Sequence, residues 1–349
     1  MNNEPVVARS LVDLDRVADW MDEVGLGDGP VTALELIAGG TQNFLVRLER
    51  SGTQYVLRRP PEHKRANSDD TMRREARVLA ALAGTEVPHP GLVAACGDLG
   101  VIGAAFYLME PIDGINVTLG LPEAYADPTW QREMGLAMAD GLVALGRVDP
   151  DAAGLSDLGR AAGWLERQVE RWRAHLASYA ALDGYPGPSI PGVDEVADWL
   201  DAHRPASWQP GLIHGDYHFA NVLFRRDRPQ LAAIVDWELT TLGDPLLDLG
   251  HLLATWPQAG ADLHSMLNDA HGLPSRADVI SRYAAGSTRD VDAVDWYQVL
   301  ACYRLGIILE GTNARADAGL APRDTGDRLH LHTVSLFEQA LRLIAGQAS

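Results

Sequence analysis

Three oxygen-bearing side chains between Gly211 and Gly250 are spaced in a way that suits a metal-bound phosphate. Asp216 follows His214 and Gly215, and Asn221 stands five residues further on, across a short His218-Phe219 turn. Asp236 closes the apolar run 232–235 and is followed by Trp237 and Glu238. Phosphoryl transfer needs a divalent ion on the phosphates, a carboxylate at the acceptor hydroxyl and cations against developing charge. Magnesium takes hard oxygen ligands, so carboxylate and amide oxygens are its expected partners. The 216–221 spacing lets one loop aim a carboxylate at the acceptor and an amide at the metal. A second strand-end loop would bring Asp236 to the same cleft.

The preceding sequence supplies elements that could close over such a cleft. Val17 and Met21 share the face of a leading helix over 10–24, with Ser10 as its expected N-cap. Three β-like runs follow, at 31–37, 43–49 and 55–58, and Pro60-Pro61 ends the third because proline cannot donate to a ladder. Between the first two lies Gly39-Gly40-Thr41-Gln42-Asn43, either a phosphate cradle of backbone amides and polar side chains or an ordinary glycine hairpin. The next helix, from about Asp70, carries Glu75, Leu79 and Leu82 on one stripe. Its carboxylate therefore needs a partner. Arg58 points to the same side of its strand as Val56 and could serve both Glu75 and a phosphate; a purely structural ion pair is the alternative.

Strand-like runs at 92–96 and 104–109 complete the β-rich part, and Glu110-Pro111-Ile112-Asp113-Gly114 marks a change of composition. This predicts a lobe over 1–110, a hinge at about 110–115 and a larger helical lobe over 111–349. Extended backbone at Glu110 and Ile112 could meet an adenine edge. Asp127-Pro128 and Asp244-Pro245 read as helix starts, with further helices expected at 164–176, 193–203, 276–284, 291–310 and 328–344.

Composition excludes several classes of partner. A net charge of −19 over 349 residues gives no cationic footprint for nucleic acid or an anionic membrane. The acids are scattered, which fits a solvated surface as well as a cationic substrate. No apolar run approaches a membrane span, no secretory leader is visible, and Cys96 and Cys302 are far apart. A cytoplasmic protein, monomeric or homodimeric, is expected.

The pattern His214-Gly215-Asp216 with Asn221, then Asp236-Trp237-Glu238, resembles the aminoglycoside phosphotransferase and choline kinase family. The resemblance implies an α+β, bilobal protein-kinase-like fold, with a small antiparallel N-lobe and a mainly helical C-lobe. It implies Asp216 as catalytic base, Asn221 and Asp236 as Mg2+ ligands, His214 as a loop brace and Asp248 as support for the loop backbone. Arg58 and Glu75 stand at the positions of the phosphate-binding lysine and its helix partner. Arginine departs from the wider pattern, yet Tyr55 to Pro61 and Phe106 to Glu110 resemble the subfamily of kinase-like domains fused to acyl-CoA dehydrogenases, where arginine is usual.

The expected function is ATP-dependent (or GTP-dependent) transfer of a phosphoryl group to a hydroxyl-bearing small molecule. An aminoglycoside, an amino alcohol and a hydroxyacyl-CoA are the acceptor classes considered. His218, Glu238, Glu310 and Asp317 are candidates for contacting it, with packed or surface roles as the alternative. The competing reading is a nucleotide-binding regulatory module without transfer activity.

Overall fold

A computed structural model describes residues 12–37, 44–61, 64, 66–257, 267 and 270–346. Helix α1 (Leu14–Glu23) leads into strands β1 (Thr32–Leu36), β2 (Phe44–Arg50) and β3 (Thr53–Arg59). Helix α2 (Ser68–Leu82), β4 (Leu92–Cys96), the short α3 (Leu99–Ile102) and β5 (Phe106–Met109) follow. The five strands form one antiparallel sheet in the order β1-β2-β3-β5-β4.

Period-2 alternation divides the side chains of this sheet between two cores. Val46, Leu48, Leu57, Phe106 and Leu108 pack with Val17, Trp20 and Met21 of α1, and Trp20 meets Phe106 edge-on at 4.8 Å. Burying each of these large side chains contributes about 1.5–3 kcal/mol. Val56, Tyr107 and Met109 take the opposite face, where Met72, Leu79 and Leu82 of α2 cover them. Arg58 lies in register with Tyr107. Both polar groups therefore meet the apolar stripe of α2, the stripe that contains Glu75.

The chain leaves the sheet at Met109, and Ile115 forms a bridge to Phe224. Helices α4 (Pro128–Gly146), α5 (Glu166–Ser178) and α6 (Val193–Ala202) come next. Two small antiparallel hairpins, β6 (Gly211–Ile213) with β9 (Thr241–Gly243) and β7 (Val222–Phe224) with β8 (Leu231–Ile234), hold the 214–221 and 235–240 loops side by side. Helices α7 (Leu246–Ala254), α8 (Arg276–Gly286), α9 (Val294–Asp317) and α10 (Arg323–Ile344) complete the fold. Helix α9 is buried along most of its length because it packs on both α7 and α10.

The architecture is α+β, a small antiparallel sheet followed by a mainly helical region. Several local expectations differ. Ser10 lies outside the described residues; Asp13 caps α1 by accepting the Arg16 N–H. A short helix lies between β4 and β5, where the Asp98 side chain caps it and Gly103 ends it at φ 77°. Trp164 and Leu165 precede α5 in a turn, while α9 continues past Glu310 to Asp317 and α10 starts at Arg323. The Gly39-Gly40-Thr41-Gln42-Asn43 segment lies outside the described residues.

Candidate active site

The 214–221 loop is braced before it does any chemistry. Gly215 takes φ 88°, and a Cβ there would stand 2.7 Å from the Leu239 carbonyl oxygen, so glycine is required by both conformation and space. The buried Asp248 carboxylate accepts the N–H groups of His214 at 2.6 Å and Gly215 at 2.9 Å. Burial pushes that carboxyl up to about 6, although the two N–H groups and Arg304 oppose it. His214 is fully buried, its Nε2 2.9 Å from the Val235 carbonyl, while its Nδ1 accepts the Asp216 N–H at 3.3 Å. Burial lowers this imidazole to about 4, which keeps it neutral and the loop linkage intact.

Asn221 Nδ2 donates to the Asp216 backbone oxygen and to Asp216 Oδ2, each at 2.9 Å. With its nitrogen committed, Asn221 offers its amide oxygen as the remaining donor atom to a metal. Val235 N–H donates to the Asn221 backbone oxygen at 2.9 Å, which ties the second loop to the first. Asp236 then adopts φ 66°, a left-handed conformation that aspartate tolerates better than most residues. Trp237 anchors this turn by donating its indole N–H to the Ile234 oxygen at 3.0 Å.

Arg58 reaches the second loop from β3. Its Nη2 donates to Asp236 Oδ1 at 2.6 Å and Glu75 Oε1 at 3.1 Å, and its Nε lies 2.8 Å from Glu75 Oε2. The Tyr107 hydroxyl also donates to Glu75, at 2.8 Å. Burial pulls Arg58 down, but Glu75, Tyr107 and Asp236 outweigh it and leave the guanidinium more firmly charged than usual. A continuous polar chain thus runs from Asp216 through Asn221, Val235, Asp236 and Arg58 to Glu75. Glu238 lies beside this chain, with Glu75, Asp236 and Glu238 presenting oxygens within 4.8 Å of one another. These are hard oxygens of the kind magnesium takes.

The other expected residues fall into separate places. His218 sits beside Asp216: its Nδ1 accepts the Ala220 N–H at 3.2 Å and its Nε2 is 3.4 Å from Asp216 Oδ2. Glu310 is no surface carboxylate. It is fully buried and receives Tyr185 Oη at 2.8 Å, Asn313 Nδ2 at 3.0 Å and His330 Nδ1 at 2.7 Å. Asp317 pairs with Arg323 where α9 turns into α10. Glu110 spends its N–H on the Gly91 oxygen at 2.9 Å, which removes that group from the expected adenine contacts and leaves its carbonyl and the Ile112 N–H.

Sequence reasoning passed over three residues. Tyr107 was visible only as part of an apolar strand. His251 stands three residues after Asp248 on α7, buried, with Nε2 3.2 Å from Asp216 Oδ1. The i, i+3 relation to Asp248 was the available signal. Arg304 of α9 donates from Nη2 to the Gly215 oxygen at 2.5 Å. No local spacing foretold it, because α9 reaches the loop from 89 residues away. Burial raises the Asp216 carboxyl, yet His218 and His251 outweigh burial and hold it well below the usual carboxylate range.

The fold is the protein-kinase-like fold of a phosphotransferase family. Residues 33–285 match the APH phosphotransferase enzyme family, and the chain belongs to that family. It is 33% identical over 340 residues to Arabidopsis thaliana probable acyl-CoA dehydrogenase IBR3, covering 91% of this chain and 39% of that protein. The chain spans 32–41% of the length of the first such relatives. A solved structure from Ralstonia eutropha JMP134, provisionally assigned as an aminoglycoside phosphotransferase, superposes with a TM-score of 0.79 at 30% identity, over 95% of this chain and 99% of that one. The GDP complex of an aminoglycoside 2'-phosphotransferase-IIIa mutant shares the fold, with a TM-score of 0.61 at 16% identity over 95% and 98% of the two chains.

Proposed function

We propose that this chain transfers the γ-phosphoryl group of ATP, or of GTP, to a hydroxyl of a small molecule that carries an anionic group, such as a hydroxyacyl-CoA with its phosphates. The observation that carries the reading is the polar chain from Asp216 to Glu75, which joins loop, turn, strand and helix in the order the reaction needs. Asp216 orients the acceptor hydroxyl and takes its proton. The Asn221 amide oxygen and the Asp236 carboxylate would hold magnesium, which neutralises charge on the phosphates when bound. Arg58, freed from Asp236, turns its fork toward those phosphates, and Glu75 with Tyr107 keeps it in place. The Glu110 carbonyl and the Ile112 N–H serve the nucleotide base at a hinge over 110–115, between lobes of 1–110 and 111–349.

The acceptor class is inferred from the charges next to the base. Arg304 lies under Gly215, and both Arg304 and the exposed Arg171 stand over the Trp172 ring, at 5.8 and 5.2 Å. Glu310, one of the candidates for contacting the acceptor, is already satisfied by three internal donors. Arg304 beside the 214–221 loop favours an acceptor with anionic phosphates, such as a hydroxyacyl-CoA, over an aminoglycoside or amino alcohol, and the relatives named as acyl-CoA dehydrogenases point the same way. A cytoplasmic location is part of this proposal; among the described residues no helix is long and apolar enough to cross a membrane. A panel of hydroxyacyl-CoA, aminoglycoside and amino-alcohol acceptors, read by magnesium-dependent ADP release, tests the assignment. Turnover confined to the amine-bearing acceptors would refute the acceptor class, and no turnover with any acceptor would favour a regulatory nucleotide-binding module.

A further inference from the structure

The base is held from two sides by different parts of the chain. Its Oδ2 atom belongs to the loop itself: Asn221 Nδ2 donates to it at 2.9 Å, and His218 Nε2 lies 3.4 Å away. His218 Nδ1 accepts the Ala220 N–H, so the neutral ring carries its proton on Nε2, toward Asp216. The Oδ1 atom instead faces His251 Nε2 at 3.2 Å, from α7. The two imidazoles lie nearly parallel, with centroids 5.8 Å apart and planes inclined by 28°.

His251 is 1% exposed, and neither ring nitrogen completes a hydrogen bond among the described residues. A buried imidazole without a settled partner is costly. Its Nε2 is nevertheless at contact distance from the reacting carboxylate and off the alignment of a good hydrogen bond. Contacts of this kind in unliganded enzymes commonly align only when substrate is bound. Burial lowers the His251 imidazole and keeps it neutral, leaving one ring N–H available.

Helix α7 therefore grips the loop twice on one face. Asp248 fixes the His214 and Gly215 backbone, and His251, one turn later, fixes the orientation of the carboxylate those residues precede. We propose that His251 is a positioning residue for transfer: its Nε2–H holds Asp216 Oδ1, so that the carboxylate cannot rotate away from the acceptor hydroxyl. The proposal rests on the phosphotransferase reading above. A misplacement of about 1 Å at a reacting centre can cost about 100-fold in rate.

The test compares wild type with His251→Ala, His251→Phe and His251→Gln, using magnesium-dependent ADP release from ATP with water and with a 3-hydroxyacyl-CoA as acceptors. Phenylalanine fills the buried space without an N–H, and glutamine returns a donor near the position of Nε2. The expected result is a kcat loss of about 10- to 100-fold for Ala and Phe, KM for ATP within about twofold of wild type, and recovery to within about threefold for Gln. Thermal unfolding separates packing from positioning: Phe should melt close to wild type yet stay slow. If Phe restores kcat, or if the loss lies in KM for ATP, His251 serves packing alone and the proposal is overturned. A wild-type protein without ADP release would overturn the phosphotransferase reading and this inference with it. Wild-type turnover with an unaltered Phe variant would overturn the inference only.

Discussion

Replacing Arg58 with methionine should destabilise the chain more than replacing Arg58 and Glu75 together. In the single variant Glu75 stays 1% exposed on the covered face of the sheet and keeps the hydrogen bond from the Tyr107 hydroxyl. Removing one member of a buried ion pair costs about 3–5 kcal/mol, because the other charge is left uncompensated. Replacing both members by apolar side chains of similar volume is close to neutral for the pair itself. It leaves the Tyr107 hydroxyl without its acceptor, at about 1–3 kcal/mol. The Arg58→Met, Glu75→Met double variant should therefore be more stable than Arg58→Met by about 1–3 kcal/mol. Urea unfolding at neutral pH, followed by tryptophan fluorescence, measures the three stabilities. Both variants lose the cation at Asp236, so both should lose nucleotide turnover. A single variant within about 1 kcal/mol of wild type, or a double variant less stable than the single, would refute the account of Glu75 as a buried carboxylate dependent on Arg58.

Two further outcomes follow from the braced loop. Asp248→Ala leaves the His214 and Gly215 N–H groups buried without an acceptor, and at about 1–3 kcal/mol each the cost should be about 2–6 kcal/mol in urea unfolding. His214 is neutral in the folded chain, lowered to about 4, whereas the unfolded chain protonates it near its ordinary value of about 6.5. Its stabilising contribution is present above pH about 6.5 and is lost as pH falls toward about 4, a change of about 3 kcal/mol. The stability difference between wild type and His214→Gln, measured by unfolding from pH 7 to pH 4, should shrink by that order across this window; a difference independent of pH would contradict a buried neutral imidazole.

The sequence displays the site unevenly, for physical reasons. Asp216, Asn221 and Asp236 are legible because their spacing along the chain sets their spacing in the loops, and β-strands on either side fix both ends. Glu75 and Arg58 could be paired because helical and strand periodicities each place them on an apolar face, where an unpartnered charge is untenable. Tyr107 joins that pair through the β3–β5 register, which no local pattern encodes. His251 and Arg304 reach the 214–221 loop from α7 and α9, so their relation to Asp216 exists only after the helices pack. Glu310 was misplaced for a similar reason: an acid near a helix end reads as surface until Tyr185, Asn313 and His330 close around it.

The central claim is that Asp216 serves an acceptor while Asn221 and Asp236 serve the metal-bound phosphates. It is tested most directly by phosphoryl transfer from ATP, followed by phosphorus NMR of the product, in wild type and Asp216→Asn with magnesium present. The account predicts transfer by wild type and a fall of about 100- to 10,000-fold in the variant, with ATP binding retained. Equal transfer rates in the two proteins would contradict it.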